Sequence, residues 1–125
     1  MSDKEEFRVV VAGSRTFTDY ELLKNKLLTI LTHKSMSHTV IIVSGGARGA
    51  DQLGERFAKE FNAPIEQFVP DWNEFGKSAG YRRNEQMAEA ADAVIVFMKA
   101  GGSKGSQHMI NVAKKKNLPV RVITF

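Results

Sequence analysis

Residues 39–51 read Thr39-Val40-Ile41-Ile42-Val43-Ser44-Gly45-Gly46-Ala47-Arg48-Gly49-Ala50-Asp51. Thr39 to Val43 is an unbroken β-branched run. A strand that is apolar throughout, without polar alternation, belongs in a parallel sheet covered by helices on both faces. Ser44 to Asp51 then places three glycines in eight residues. Ala50, Leu53, Phe57 and Phe61 follow at helical spacing, as the inner face of a helix. Strand, glycine loop and helix together form the repeating unit of a doubly wound α/β fold.

The same unit recurs on either side of this stretch. Phe7 to Ala12 is a valine-rich first strand. Thr18-Asp19-Tyr20-Glu21 matches a capping box, and Tyr20, Leu23, Leu27, Ile30 and Leu31 continue it as a helix. Ile65 to Val69 is a third, weaker strand between Pro64 and Pro70. Asp71 to Gly80 reads as a polar loop, and Asn84, Met87, Ala88 and Ala91 suggest a third helix. Ala93 to Phe97 is a fourth strand. A glycine-rich turn leads to a fourth helix through Ile110 and Ala113. Lys114, Lys115 and Lys116 fall late in that helix, where cations suit its dipole. Val120 to Ile123, after Pro119, closes the series. The expected architecture is a single domain over residues 1–125. It is an α/β fold, a Rossmann-like three-layer α/β/α sandwich, with a five-stranded parallel sheet in the order 3-2-1-4-5 and right-handed crossovers.

Composition narrows the chemistry. The chain has 125 residues and no cysteine, which removes disulfides, thiolate metal sites and a thiol nucleophile. Its three histidines, His33, His38 and His108, share no ligand spacing, so no metal site is expected. Eighteen basic and 14 acidic residues leave a net charge of +4, too modest to imply nucleic-acid binding by itself. No apolar run approaches the roughly 18 residues of a membrane span. Met1 to Glu6 is polar and lacks the apolar stretch of a secretory signal. The expected location is therefore cytoplasmic, with no membrane partner.

In this architecture ligands sit beyond the carboxyl ends of the strands, near the point where strand order reverses. Nine of the ten glycines lie in the four loops that reach that edge, and Gly54 is the exception. Glycine allows close backbone approach, and a helix starting after such a loop aims free N–H groups at an anion. The loops before the second and fourth helices are thus expected to hold two phosphates, or a phosphate and a ribose. Neither standard phosphate motif is present. Gly13-Ser14-Arg15 is not G-x-G-x-x-G, and Gly76-Lys77-Ser78 has Asp71 where a P-loop needs glycine.

Within these loops, Arg15 is a phosphate contact or a surface ion pair. Ser14 and Ser44 offer hydroxyls to phosphate or ribose, or shape turns. Arg48 points into the site or away from it. Asp51 caps the second helix or binds ribose hydroxyls. Arg82 and Arg83 diverge by about 100° on a helix, so one of them faces the ligand, and Arg83 is the choice. Lys77 and Lys104 are in reach of a phosphate or idle. Trp72, Phe75 and Tyr81 either anchor the long third loop in apolar contacts or stack on a base. His108 is an isolated histidine near the start of the fourth helix.

Gly13-Ser14-Arg15, then Ser44-Gly45-Gly46-Ala47-Arg48-Gly49-Ala50-Asp51, Arg83-Asn84 and a turn with Gly102 and Gly105-Ser106 together resemble the SLOG superfamily. The Ser-Gly-Gly-Ala-Arg-Gly-Ala-Asp stretch is the most specific part. Asp71-Trp72 through Gly76-Lys77, with Ala79-Gly80 and Arg83-Asn84, looks most like its small stand-alone YspA/YpsA-related group. The resemblance implies a site for a nucleotide or an ADP-ribose-like derivative, with no further cofactor required, and frequent homo-oligomers. Other branches carry other uses: LOG phosphoribohydrolases cleave a base from a nucleoside monophosphate, and DNA-processing protein A binds single-stranded DNA. Arg83 matches an arginine that LOG-type members use in catalysis. The turn Gly101-Gly102-Ser103-Lys104-Gly105-Ser106-Gln107 has no carboxylate where their glutamate stands. Hydrolysis would then need Asp51 or Glu85 instead.

Overall fold

The computed structural model describes residues 4–125. Five parallel strands form one sheet: β1 (Glu5–Gly13), β2 (His38–Ser44), β3 (Ile65–Gln67), β4 (Ala93–Met98) and β5 (Val120–Thr124). Their order is β3-β2-β1-β4-β5, as expected. Five helices connect them: α1 (Tyr20–Ser35), α2 (Ala50–Glu60), α3 (Trp72–Phe75), α4 (Ala79–Ala90) and α5 (Lys104–Lys115). A 3₁₀ turn over Gly76–Ser78 joins α3 to α4. No helix among the described residues is long and apolar enough to cross a membrane.

The sheet divides the core in two. Val9, Val11, Ile42, Ile95 and Phe97 face α1 and α2 and meet Leu23, Leu27, Phe57 and Phe17. Val10, Val43, Val94 and Val96 face α4 and α5 and meet Met87, Ala88, Met109 and Ala113. The central strands thus bury both sets of their side chains, which accounts for their unbroken β-branched composition. The order reverses between β1's two neighbours. Val10 pairs with Val43 on one side and with Val94 on the other. Both crossovers leave the sheet edge beside β1, and the crevice opens there.

Several element ends differ from the expectation. The cap of α1 is Asp19, not Thr18: its Oδ1 accepts the Leu22 N–H at 3.1 Å, the helix starting at Tyr20. β3 stops at Gln67, because it is an edge strand with only β2 to pair with, and Val69 beyond it is exposed. Phe61 lies just past α2 and is exposed. Residues 71–80 are not a loop. Asp71 Oδ1 accepts the Glu74 N–H at 3.0 Å and starts α3. α4 then begins at Ala79, so Gly80 is helical and Arg83 lies well inside the helix.

Candidate functional site

A cavity of about 350 Å³ opens between the carboxyl ends of β1 and β4, the starts of α2 and α5, and the middle of α4. Such a volume lies at the lower end of the range for small-molecule sites. From the expected set, Gly13, Ser14 and Arg15 line it from the first loop. Asp51 lines it from α2, Arg83 and Asn84 from α4, and Gly102, Gly105 and Ser106 from the last loop. Gly45, Gly46 and Arg48 line an adjoining recess that shares Arg15, Ala47 and Arg83 with the first.

The loops are built against one another. The Ser14 N–H donates to the Phe97 carbonyl at 2.9 Å, which places the first loop over the end of β4. The Ser14 carbonyl accepts the Ala50 N–H at 3.2 Å. Gly49, with φ of 84°, presses on that same carbonyl so closely that a Cβ would overlap it. An L-residue would be strained there on both counts. Arg83 Nη1 donates to the Gly45 carbonyl at 2.7 Å, and Arg83 Nε donates to Asn84 Oδ1 at 3.1 Å. Asn84 Nδ2 in turn donates to the Gly105 carbonyl at 3.4 Å, joining α4 to the first turn of α5. His108 sits behind this contact, its Nδ1 3.2 Å from Asn84 Nδ2 and its ring against Tyr81. Burial lowers its pKa. It does not line the cavity.

The electrostatics set the two helix starts apart. Asp51 is only 5 % exposed, and its Oδ2 accepts the Ala47 N–H at 3.2 Å. It does not cap α2, whose cap is Gly49. Burial pushes its pKa up to about 6, against the opposing pull of the Ala47 N–H and of Arg83. A carboxyl group therefore already occupies the positive end of α2, and the Ala50 N–H is spent on Ser14. The start of α5 carries no such acid in its first turn. Its cap Ser103 accepts the Ser106 N–H at 3.4 Å, and Gly102, Ser103 and Gly105 face the cavity. Arg15, Arg48 and Arg83 form no ion pair among the described residues. Burial lowers the pKa of Arg83.

Other expected residues lie elsewhere. Ser44 is fully buried; its hydroxyl donates to Glu55 Oε2 at 2.6 Å and accepts the Gly46 N–H at 3.1 Å. It shapes the glycine loop and does not face the cavity. Gly49 is packed behind the loop, and exposed Lys77 lines neither recess. Arg82 turns away from the cavity: its Nε donates to Ser78 Oγ at 3.1 Å and its guanidinium lies 4.2 Å from the Phe75 ring centre. Trp72, Phe75 and Tyr81 are 51 %, 37 % and 43 % exposed, so they do not anchor their segment in the core. Thr16, Lys99 and Ser103 line the cavity without having been singled out. Ser103 was visible as the polar residue before the fourth helix. Thr16 and Lys99 carried no pattern of their own.

Against known proteins, the profile of the YspA, cpYpsA-related SLOG family matches residues 7–75. The Gene 61 protein of Mycobacterium phage D29 is 36 % identical over 118 residues, covering 90 % of this chain and 93 % of its own. The X-ray structure of TM1055, a structural genomics target, superposes with a TM-score of 0.62 at 20 % identity. That match covers 93 % of this chain and 72 % of TM1055, and it bears on the fold alone.

Proposed function

We propose that this chain, which belongs to the YspA, cpYpsA-related SLOG family, binds or senses a phosphate-bearing nucleotide or ADP-ribose-like ligand in the cavity beside β1. The observation that carries this reading is the convergence of Arg15 and Arg83, neither held in a salt bridge among the described residues, with the acid-free start of α5 across the same cavity. Guanidinium groups and helix N–H groups together favour a phosphate. The buried carboxyl of Asp51 suits ribose hydroxyls at the same wall, as acidic residues do in dinucleotide sites. Calorimetric titration with ADP-ribose, AMP and ribose 5-phosphate tests it. Binding that weakens with added salt is expected. No heat and no thermal shift from any of the three at millimolar concentration would end this reading.

A second reading rests on Asp51 itself. A carboxyl group with a pKa near 6 in a ligand cavity is poised for proton transfer near neutral pH. In N-glycosidic cleavage it would stabilise an oxocarbenium-like sugar, with Arg83 on the phosphate. Release of free base from nucleoside monophosphates, abolished by Asp51→Asn, is the result this reading requires. A panel of nucleotides left intact would dismiss it without touching the binding reading.

A further inference from the structure

The cavity beside β1 does not end at its arginines. Arg15, Ala47 and Arg83 also form one side of a second recess of about 350 Å³. Its floor is the backbone of Gly45 and Gly46, and its outer wall is Val69, Pro70 and Trp72. Trp72 is half exposed, and Val69 is 67 % exposed. A tryptophan carries a large apolar area whose burial is worth several kilocalories, so an uncovered indole beside a cleft is an unmet opportunity for contact. The ring lies beside Gly80 of α4, where a Cβ would make ordinary contact with it at 3.5 Å, and α3, which carries it, is capped by Asp71. A flat, exposed surface lying past a pair of guanidinium groups suits a planar group attached to a phosphate. No carboxylate lines this recess, whereas Asp51 lines the first. The two compartments therefore differ in kind: one polar and acid-bearing, the other apolar-walled and basic.

We infer that the ligand spans both compartments, with its phosphates between the Arg15–Arg83 neck and the start of α5, its sugar end towards Asp51, and its base stacked on Trp72. The inference rests on the proposed nucleotide reading and names the residue that selects for a base. Base–aromatic stacking tolerates any base, so Trp72 selects for a nucleotide over a simple sugar phosphate and leaves purine and pyrimidine less well separated.

Trp72 is the sole tryptophan in the chain, so its fluorescence reports this contact alone. The test titrates wild type, Trp72→Ala and Trp72→Phe with ADP-ribose and with ribose 5-phosphate, reading affinity by calorimetry and quenching in the wild type. ADP-ribose should quench the fluorescence, and ribose 5-phosphate should bind without quenching. Trp72→Ala should weaken ADP-ribose roughly tenfold, within the range for one stacked base, leave ribose 5-phosphate unchanged, and Trp72→Phe should restore most of the loss. If both compounds bind and Trp72→Ala affects them equally or not at all, the inference is overturned and the phosphate site stands. If neither binds, both readings fall together.

Discussion

Arg83 in α4 donates a 2.7 Å hydrogen bond from Nη1 to the carbonyl oxygen of Gly45, in the loop after β2. The bond holds a half-buried guanidinium between the two compartments of the cleft. It also satisfies a carbonyl that the turn leaves without a strand partner. Gly45 is the residue that permits it: a Cβ at that position would fall on Arg83 Nη1 and lie 2.8 Å from Asp51 Oδ2.

Gly45→Ala should accordingly displace Arg83 without unfolding the domain. We expect a stability loss of about 1–3 kcal/mol, the usual cost of one methyl too many, and a loss of ADP-ribose affinity comparable to that of removing Arg83. Chemical denaturation and calorimetry measure the two. Unchanged affinity would show that the guanidinium position is not what binds.

Arg83→Ala removes a charge-assisted contact, worth about 1.5–3 kcal/mol, or roughly ten- to hundredfold in affinity for a phosphate ligand. It also removes a positive charge that holds down the pKa of Asp51. The carboxyl should then titrate above its present value of about 6. Carbon-detected NMR of the Asp51 side chain follows this directly, and a fall in its pKa would contradict the assigned electrostatics.

Asp51 makes stability depend on pH in a defined direction. Its folded pKa of about 6 lies above the unfolded value of about 3.9. The neutral acid is therefore the form that folding favours; its stabilisation is full below about pH 4 and is lost as pH rises through about 6. Asp51→Asn keeps a neutral side chain at every pH. The variant should gain on the wild type between about pH 4 and 7, by up to about 3 kcal/mol. Urea melts across that range provide the check; a constant difference would show that burial does not shift this group.

At the other end of α2, the Tyr20 hydroxyl donates to Glu60 Oε1 at 2.6 Å, while Lys24 holds Oε2 at 2.7 Å. Tyr20→Phe removes one hydrogen bond that ties α1 to the end of α2. It should cost about 1 kcal/mol in denaturant melts and leave ligand binding unaltered. A change in affinity would reveal coupling between this corner and the cleft.

The strands were legible because burial on both faces leaves a plain mark: Thr39 to Val43 contains nothing but β-branched residues. Parallel pairing followed from the alternation of strands with helices; the order 3-2-1-4-5 was an expectation taken from the architecture. The segment after β3 was not legible, because α3 and the 3₁₀ turn bury none of their residues. Without a buried face there is no periodicity, and only Asp71 marked a cap. Within the site, helical geometry said that Arg82 and Arg83 diverge, and the resemblance pointed to Arg83 as the inward one. The inward turn of Ser44 was not legible, since its partner Glu55 lies eleven residues on in α2 and a hydroxyl in a glycine loop reads the same whether it faces a ligand or the protein. The burial of Asp51 was hidden for a similar reason: the acid sits where a solvent-exposed helix start would also place one.

The clasp of Gly49 and Ala50 on the Ser14 carbonyl has a thermodynamic corollary. Two of the loops that frame the cleft are already immobilised on each other when the chain folds, so a ligand arriving there has little protein entropy left to remove. Changes made to those loops should appear chiefly in how long a ligand stays, since docking onto a rigid cradle leaves the encounter rate nearly constant. Tightening or loosening this one carbonyl would set residence time.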